Sequence, residues 1–384
     1  MTQPIPIVGA GLGGLTLGRA LLHRGIPSIL FEKGTSNPRF NYAITLHSTA
    51  YQPLLKILDL DVNMLKSRVA VDTESGGTGS ISQLTNLATH NGLYDTQSSF
   101  RANRAKLEQL LREGLDIRWK NTLKEIENTS QGSKLRFQNG ESCFGNLVVG
   151  ADGVHSDVRK LLLPSIAPDI LPYVAFNGKR RVAFKDFDKS YYQAMNGSNV
   201  VEMKRNDAFL SISVNNKKEE EVSISWIFSR PARGHEDPLH RPNRSNEDAN
   251  NIPEELFAEI SAMGDLGAPF SKIFDTEKMR DDRILHWLMR TTSASLSELH
   301  DQLSKNKVCF IGDAVHAEPI VGGNGANAAI IDALTLADAI GKEESDGISS
   351  WYIDRHAAWS KGKEASQQCI ARIHEPPKSR VASL

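Results

Sequence analysis

Cysteine is scarce in these 384 residues: Cys143, Cys309 and Cys369 lie far apart, with no Cys-x-x-Cys pair and no histidine at ligand spacing. That excludes a disulfide scaffold and a cysteine-based zinc site and gives no reason to expect any metal; it fits a reducing compartment, with the cytoplasm as the expected address. No apolar run reaches the roughly 18 residues of a membrane span. A strand pattern begins so close to Met1 that a signal peptide is not expected. An excess of one charge is also missing, because 45 Lys plus Arg stand against 46 Asp plus Glu. No global field therefore draws the chain to nucleic acid or anionic lipid, and a small, fairly apolar partner fits better. Internal repeats and low-complexity tracts are absent, so the chain reads as unique elements. With 40% apolar and 24% charged residues, it has the balance of an ordinary soluble protein, long enough for two domains.

What is present begins with a βαβ pattern. An apolar run at 5–8 leads into Gly9-Ala10-Gly11-Leu12-Gly13-Gly14, then a helical pattern, then a second run ending in Glu32 beside Lys33. In such a turn the first glycine permits the sharp reversal, the second lets backbone approach a pyrophosphate, and the last allows close helix packing. An acid about 20 residues on accepts from ribose hydroxyls, which is the place of Glu32. Pro6 is awkward here, since it removes a ladder hydrogen bond. Two further apolar runs, 147–149 and 308–311, have the short continuous form of parallel strands buried on both faces. The first ends in Gly150-Ala151-Asp152-Gly153, with Ser156 and Arg159 following; the second ends in Gly312-Asp313, before Gly322-Gly323-Asn324-Gly325-Ala326-Asn327 and a helical pattern. Between residues 173 and 228 the pattern changes to alternating segments, 173–184, 200–214 and 222–228, which read as a largely antiparallel sheet. The stretch 230–252 has no periodicity and reads as a mobile surface flap. Helical patterns at 325–340 and 350–373 close the chain.

The three glycine-acid motifs, in this order and over nearly the whole chain, resemble the single-component FAD-dependent aromatic hydroxylases, the group that includes p-hydroxybenzoate and salicylate hydroxylases and many fungal secondary-metabolite monooxygenases. The resemblance implies an α/β (α+β) fold: a Rossmann-like FAD-binding domain with a parallel sheet, interleaved with a mostly antiparallel substrate domain and C-terminal helices. The FAD-binding parts would be 1–75, 99–172 and 291–345, the substrate parts 76–98 and 173–290, and 346–384 a helix and tail. It implies a cofactor site of Gly9, Gly11, Gly14, Glu32, Lys33, Ala43, Arg104, Asp152, Asp313, Gly323, Gly325, Ala326 and Asn327, and a substrate pocket near His47, Asn177, Trp226 and Pro319. NADPH or NADH would reduce FAD, and a flavin C4a-hydroperoxide would pass one oxygen from O2 to an aromatic or polycyclic small molecule by hydroxylation, epoxidation or Baeyer-Villiger insertion, in a monomer or homodimer.

Three departures bear on the site. Ile320 stands where the family commonly has proline, with Pro319 one residue earlier. Asn41-Tyr42-Ala43-Ile44 replaces a smaller segment beside the flavin, and Asn177 stands where many relatives carry a substrate-facing arginine. A halogenase would need a Trp-x-Trp-x-Ile-Pro segment, which is lacking, and a nicotinamide dehydrogenase would leave the second and third motifs unexplained. A non-catalytic FAD-binding protein of this fold stays open.

Overall fold

Within its first 32 residues the chain closes a β–α–β crossover: β1 (Ile5–Val8), α1 (Leu12–His23) and β2 (Ser28–Glu32), the two strands parallel and in register from Ile5 opposite Ser28 to Val8 opposite Phe31. The computed structural model describes residues 3–37, 42–81, 98–129, 131–321, 324–342 and 346–375. A hairpin of β3 (Ala43–Leu46) and β4 (Phe100–Asn103) brackets α2 (Ser48–Leu58) and α3 (Val62–Val69). Then come α4 (Arg104–Arg112), β5 (Ile117–Trp119), a three-stranded sheet of β6 (Leu123–Thr129), β7 (Gly132–Phe137) and β8 (Ser142–Gly145), β9 (Val148–Gly150) and α5 (Asp157–Leu162). The parallel sheet has the order β15-β9-β1-β2-β5, with β15 at Val308–Phe310. The three distant apolar runs of the sequence do form one sheet, and their continuous burial matches their uninterrupted apolar character.

Pro6 is tolerated at the centre of this sheet for a reason visible in the register. Ala151 N donates to Val8 O, so the even residues of β1 face β9, and pairing with β9 begins only at Ile7 opposite Val149. The missing donor therefore falls before the ladder starts, and the ring packs on Gly145, where a Cβ would come within 2.8 Å of Pro6 Cγ.

The second sheet is antiparallel, in the order β11-β12-β13-β10-β14: β10 (Asp169–Ala183), β11 (Val200–Arg205), β12 (Ala208–Lys217), β13 (Glu221–Pro231) and β14 (Arg283–Thr291). The segment expected as one strand at 200–214 is two, because Asn206 takes a left-handed turn with φ of 56°. One face carries Ile212, Trp226, Leu210, Phe228 and Phe176 into an apolar core closed by the helix Glu254–Ser261 and Phe270 to Phe274. Gly178 lies opposite Trp226, and a Cβ there would overlap the indole. Substitution would overpack this layer, a defect that costs about 1–3 kcal/mol.

The stretch 230–252 is not a flap. Arg230 and Asp237 are buried and joined by two hydrogen bonds of 2.6 and 2.9 Å, Arg230 Nε donates to Glu259 Oε1 at 2.7 Å, and Arg244 donates to His286 Nδ1 at 3.0 Å. Unpairing a buried charge costs about 3–5 kcal/mol, so this segment is fastened although its composition looks loose. The helices Gly325–Gly341 and Gly347–His374 end the described chain, the first packed on α1. Among the described residues no helix is long and apolar enough to cross a membrane.

Candidate active site

The glycine turn after β1 leaves one opening. Gly9 has φ of 107°, and a Cβ there would press on the Ala151 carbonyl; at Gly14 it would overlap the Gly9 carbonyl oxygen. At Gly11 the nearest atom to an added Cβ is Arg104 Nη2, at 3.9 Å. Gly11 is also the N-cap of α1, without a side-chain cap and with no acid in the first turn, so the first N–H groups of the helix lack intrahelical partners. They face a cleft of about 390 Å³ lined by Gly11, Gly13, Arg104, Asp313 and Gly325 on one side and by the antiparallel sheet on the other. A smaller cleft of about 80 Å³, lined by Glu32, Arg112 and Trp119, shares Gly11 and Arg104 with it. Glu32 folds back on the turn, accepting from Ala10 N at 3.0 Å and Gly34 N at 2.7 Å.

Arg104 owes its position to Asn103, whose side chain accepts from Lys106 N and so starts α4 at the arginine. Its Nε donates to Glu108 Oε1 at 2.8 Å and Nη1 to the Tyr42 hydroxyl, with the guanidinium 5.2 Å from the Tyr42 ring centre. Burial works against its charge, but Tyr42 and Glu108 outweigh it and hold the arginine protonated. Tyr42, read as bulk beside the flavin, is thus also the anchor of this arginine.

Asp152 caps α5, its Oδ2 accepting from Asp157 N at 2.6 Å and Val158 N at 3.1 Å, while Oδ1 has no partner among the described residues. Arg159 is buried and joins the second motif to the third by donating to the Ala314 carbonyl at 2.6 Å and the Val154 carbonyl at 2.7 Å. The carboxyl of Asp313 lines the cleft and has no hydrogen-bond partner among the described residues; burial, with Glu318 and Asp332 nearby, pushes its pKa up. Beside it starts the helix Gly325–Gly341. Asn327 ties that start to β3, donating to Thr45 O at 3.0 Å and accepting from His47 N at 3.0 Å. Glu318 accepts from Asn324 N at 2.7 Å and from Ser366 at 2.8 Å. Gly323 lies outside the described residues. Lys33 does not line either cleft; its Nζ lies 3.4 Å from Asp157 Oδ2.

The sheet wall follows strand parity. Glu202, Ser211, Ile227 and Asn177 form one row across β11, β12, β13 and β10, and Val200, Ser213 and Ser225 form the next. Phe209, Trp287, Pro319 and Ile320 also line the cleft. Trp226, expected in the substrate pocket, is not there: alternation turns it to the opposite face, fully buried, where its Nε1 donates to Asp282 at 2.7 Å. Phe176 and Met195 lie in that same core. Ala43 and His47 do line the cleft; Ala43 N donates to Asn215 at 3.1 Å, and His47 Nδ1 is 2.8 Å from Ser99 Oγ. Burial lowers the His47 pKa to about 4, so the imidazole is neutral near pH 7. Arg101 and Glu202 also enter the cleft, and no sequence motif marks either.

The FAD binding domain family model matches residues 1–285 and 269–361, nearly the whole chain. The chain belongs to this family of FAD-dependent monooxygenases. It is similar to the FAD-dependent monooxygenase adaC of Aspergillus niger, 36% identical over 98% of this chain and 94% of the relative. It is also similar to nscC of Aspergillus fumigatus, 34% identical over 97% and 96% respectively. Among solved structures, 2,6-dihydroxypyridine-3-hydroxylase from Arthrobacter nicotinovorans matches with a TM-score of 0.71 at 19% identity, covering 99% of this chain and 96% of the other. The Klebsiella pneumoniae HpxO complex with FAD and uric acid matches with a TM-score of 0.68 at 19% identity, over 97% and 89%. These likenesses establish the shared fold. The chemistry of the cleft fits the family's cofactor: glycine turns that a Cβ would obstruct, N–H groups at two helix starts, a protonated arginine and an unpartnered aspartate.

Proposed function

We propose that this monooxygenase uses NAD(P)H and O2 to place one oxygen atom on an aromatic or polycyclic small molecule, with FAD along the cleft and substrate against the antiparallel sheet. The observation that carries this reading is the meeting of Gly11, Asp313 and residues 325–327, from distant parts of the chain, on one wall, with Asn177, Phe209, Ser211 and Ile227 on the other. Gly11, the start of α1 and Arg104 would hold the pyrophosphate, Glu32 the adenosine ribose, and Asp313 the ribityl chain. Gly325, Ala326 and Asn327 would offer backbone N–H groups to the ring edge.

Bound FAD supplies hydride acceptance from the nicotinamide and activation of O2. The chain's own work is to bind, orient and shield. Each helix N-terminus favours negative charge beside it by about 0.3–1 kcal/mol, more when partly buried. Phe209, Ile227 and Trp287 keep water from the substrate face. His47, kept neutral by burial, is held in place by its 2.8 Å contact with Ser99 Oγ and takes up no proton at working pH. Fungal relatives are in keeping with a role in secondary metabolism.

Purified protein should be yellow with one FAD per chain, consume NAD(P)H faster when substrate is added, and give a product carrying one oxygen from labelled O2. Colourless protein that cannot be reconstituted with FAD would overturn the reading. A yellow protein that never incorporates label would be a flavin binder without oxygenase chemistry.

A further inference from the structure

Arg101 lies on β4 opposite Thr45 of β3, and its side chain enters the cleft. Its Nη1 donates to Thr45 Oγ1 at 3.1 Å, while its Nε–H is buried and has no acceptor among the described residues. Leaving such a donor unmatched costs about 1–3 kcal/mol, more when it is charged. Burial lowers the arginine pKa to about 10, opposed by Glu202 and Tyr42, so the group remains a cation near neutral pH. The opposite wall offers no second cation in the row that faces it: Asn177, Ile227 and Ser211 are neutral, and Asn177 spends one amide hydrogen on Trp226 O at 3.2 Å. Glu202 ends that row, where it balances the guanidinium and can accept from a hydroxyl.

Resting on the reading of this sheet face as the substrate wall, we propose that Arg101 is the residue that selects substrate by pairing with an ionised oxygen, an enolate, phenolate or carboxylate, on a flat ring system. The cation comes from the β3–β4 hairpin, on the wall opposite position 177. The ring plane has Phe209, Ile227 and Trp287 to lie on, and Ser211, Ser213 and Asn177 to meet further oxygens. Arginine suits this task because its fork keeps a fixed direction and its charge-assisted bonds are roughly twice as strong as neutral ones.

The test uses FAD-loaded protein at neutral pH and two probes of nearly equal shape, 2-hydroxy-1,4-naphthoquinone, which is ionised there, and its neutral 2-methoxy ether, each titrated by calorimetry. The wild type should bind the enolate at least about tenfold tighter than the ether. Arg101→Gln should remove that preference with little change for the ether and with FAD retained, Arg101→Lys should keep part of it, and Arg101→Gln with Asn177→Arg should restore part. The proposal fails if the wild type shows no preference, if Arg101→Gln keeps it, or if Arg101→Gln releases FAD while Arg101→Lys does not restore it. A protein that holds FAD yet shows no preference fails this proposal alone, whereas a protein that cannot hold FAD fails the earlier reading.

Discussion

Replacing Gly11 with alanine separates a glycine kept for a ligand from glycines kept for the fold. The backbone there has φ of −82° and ψ of −173°, which alanine adopts without strain, and the added Cβ meets only Arg104 Nη2 at 3.9 Å. Alanine is a slightly poorer N-cap than glycine, a loss of at most about 1 kcal/mol, or a few degrees in melting temperature. The same methyl stands where the pyrophosphate would approach the backbone. Losing one charge-assisted contact of about 1.5–3 kcal/mol should weaken FAD binding by about 10- to 150-fold. Gly14→Ala is the counterpart: its methyl overlaps the Gly9 carbonyl oxygen, and relieving the clash moves α1 away from the turn, at a cost of about 3 kcal/mol or more. Thermal melts of the apoproteins and titration with FAD by quenching of its fluorescence read both effects. If Gly11→Ala binds FAD as the native protein does, or if Gly14→Ala melts where the native protein does, the reasoning about this turn is wrong.

Asp313→Asn should raise the apoprotein melt, since burial and the neighbouring Glu318 and Asp332 disfavour its charge and its carboxyl has no hydrogen-bond partner among the described residues, yet raise the FAD dissociation constant about tenfold or more, as read by the same titration. Asp332 accepts from Gly312 N, His316, Arg355 and Trp359 while fully buried, so Asp332→Ala should cost about 3–5 kcal/mol in denaturant unfolding. Its pKa is held down to about 2, burial opposing and His316 and Arg355 prevailing, so its contribution is complete above its unfolded value and is lost only as pH falls toward 2. His47, His286 and His374 are held neutral by burial, their pKa values lowered to about 4, 3 and 4. The unfolded chain binds these protons first, so stability declines as pH falls below 6.5 and keeps declining until the folded values are passed; by pH 5 the loss is about 2 kcal/mol per histidine, and His374→Gln should flatten the measured stability-pH curve by that amount.

What was legible in the sequence was whatever depends on backbone shape over a few residues. The glycine turn, Glu32 and the endings of β9 and β15 are local patterns whose conformations leave few other residues possible. Trp226 shows where the reading was incomplete. In β13 the even positions Val222, Ile224, Trp226 and Phe228 are uniformly apolar and the odd positions are Ser223, Ser225, Ile227 and Ser229, so parity assigns the tryptophan to the core. The alternating serines mark the open face. Arg101 was not legible because its place depends on the β3–β4 pairing, made between segments some 56 residues apart. The fastening of 230–252 depends likewise on Glu259 and His286, which composition does not connect to it.

The most direct test is an experimental structure of the FAD-loaded protein. The account predicts one FAD running from the Glu32 cleft past Gly11 and Arg104 to Asp313, with its ring against residues 325–327 and the antiparallel sheet beyond. An FAD seated elsewhere, or a main cleft closed by its own side chains, would contradict it.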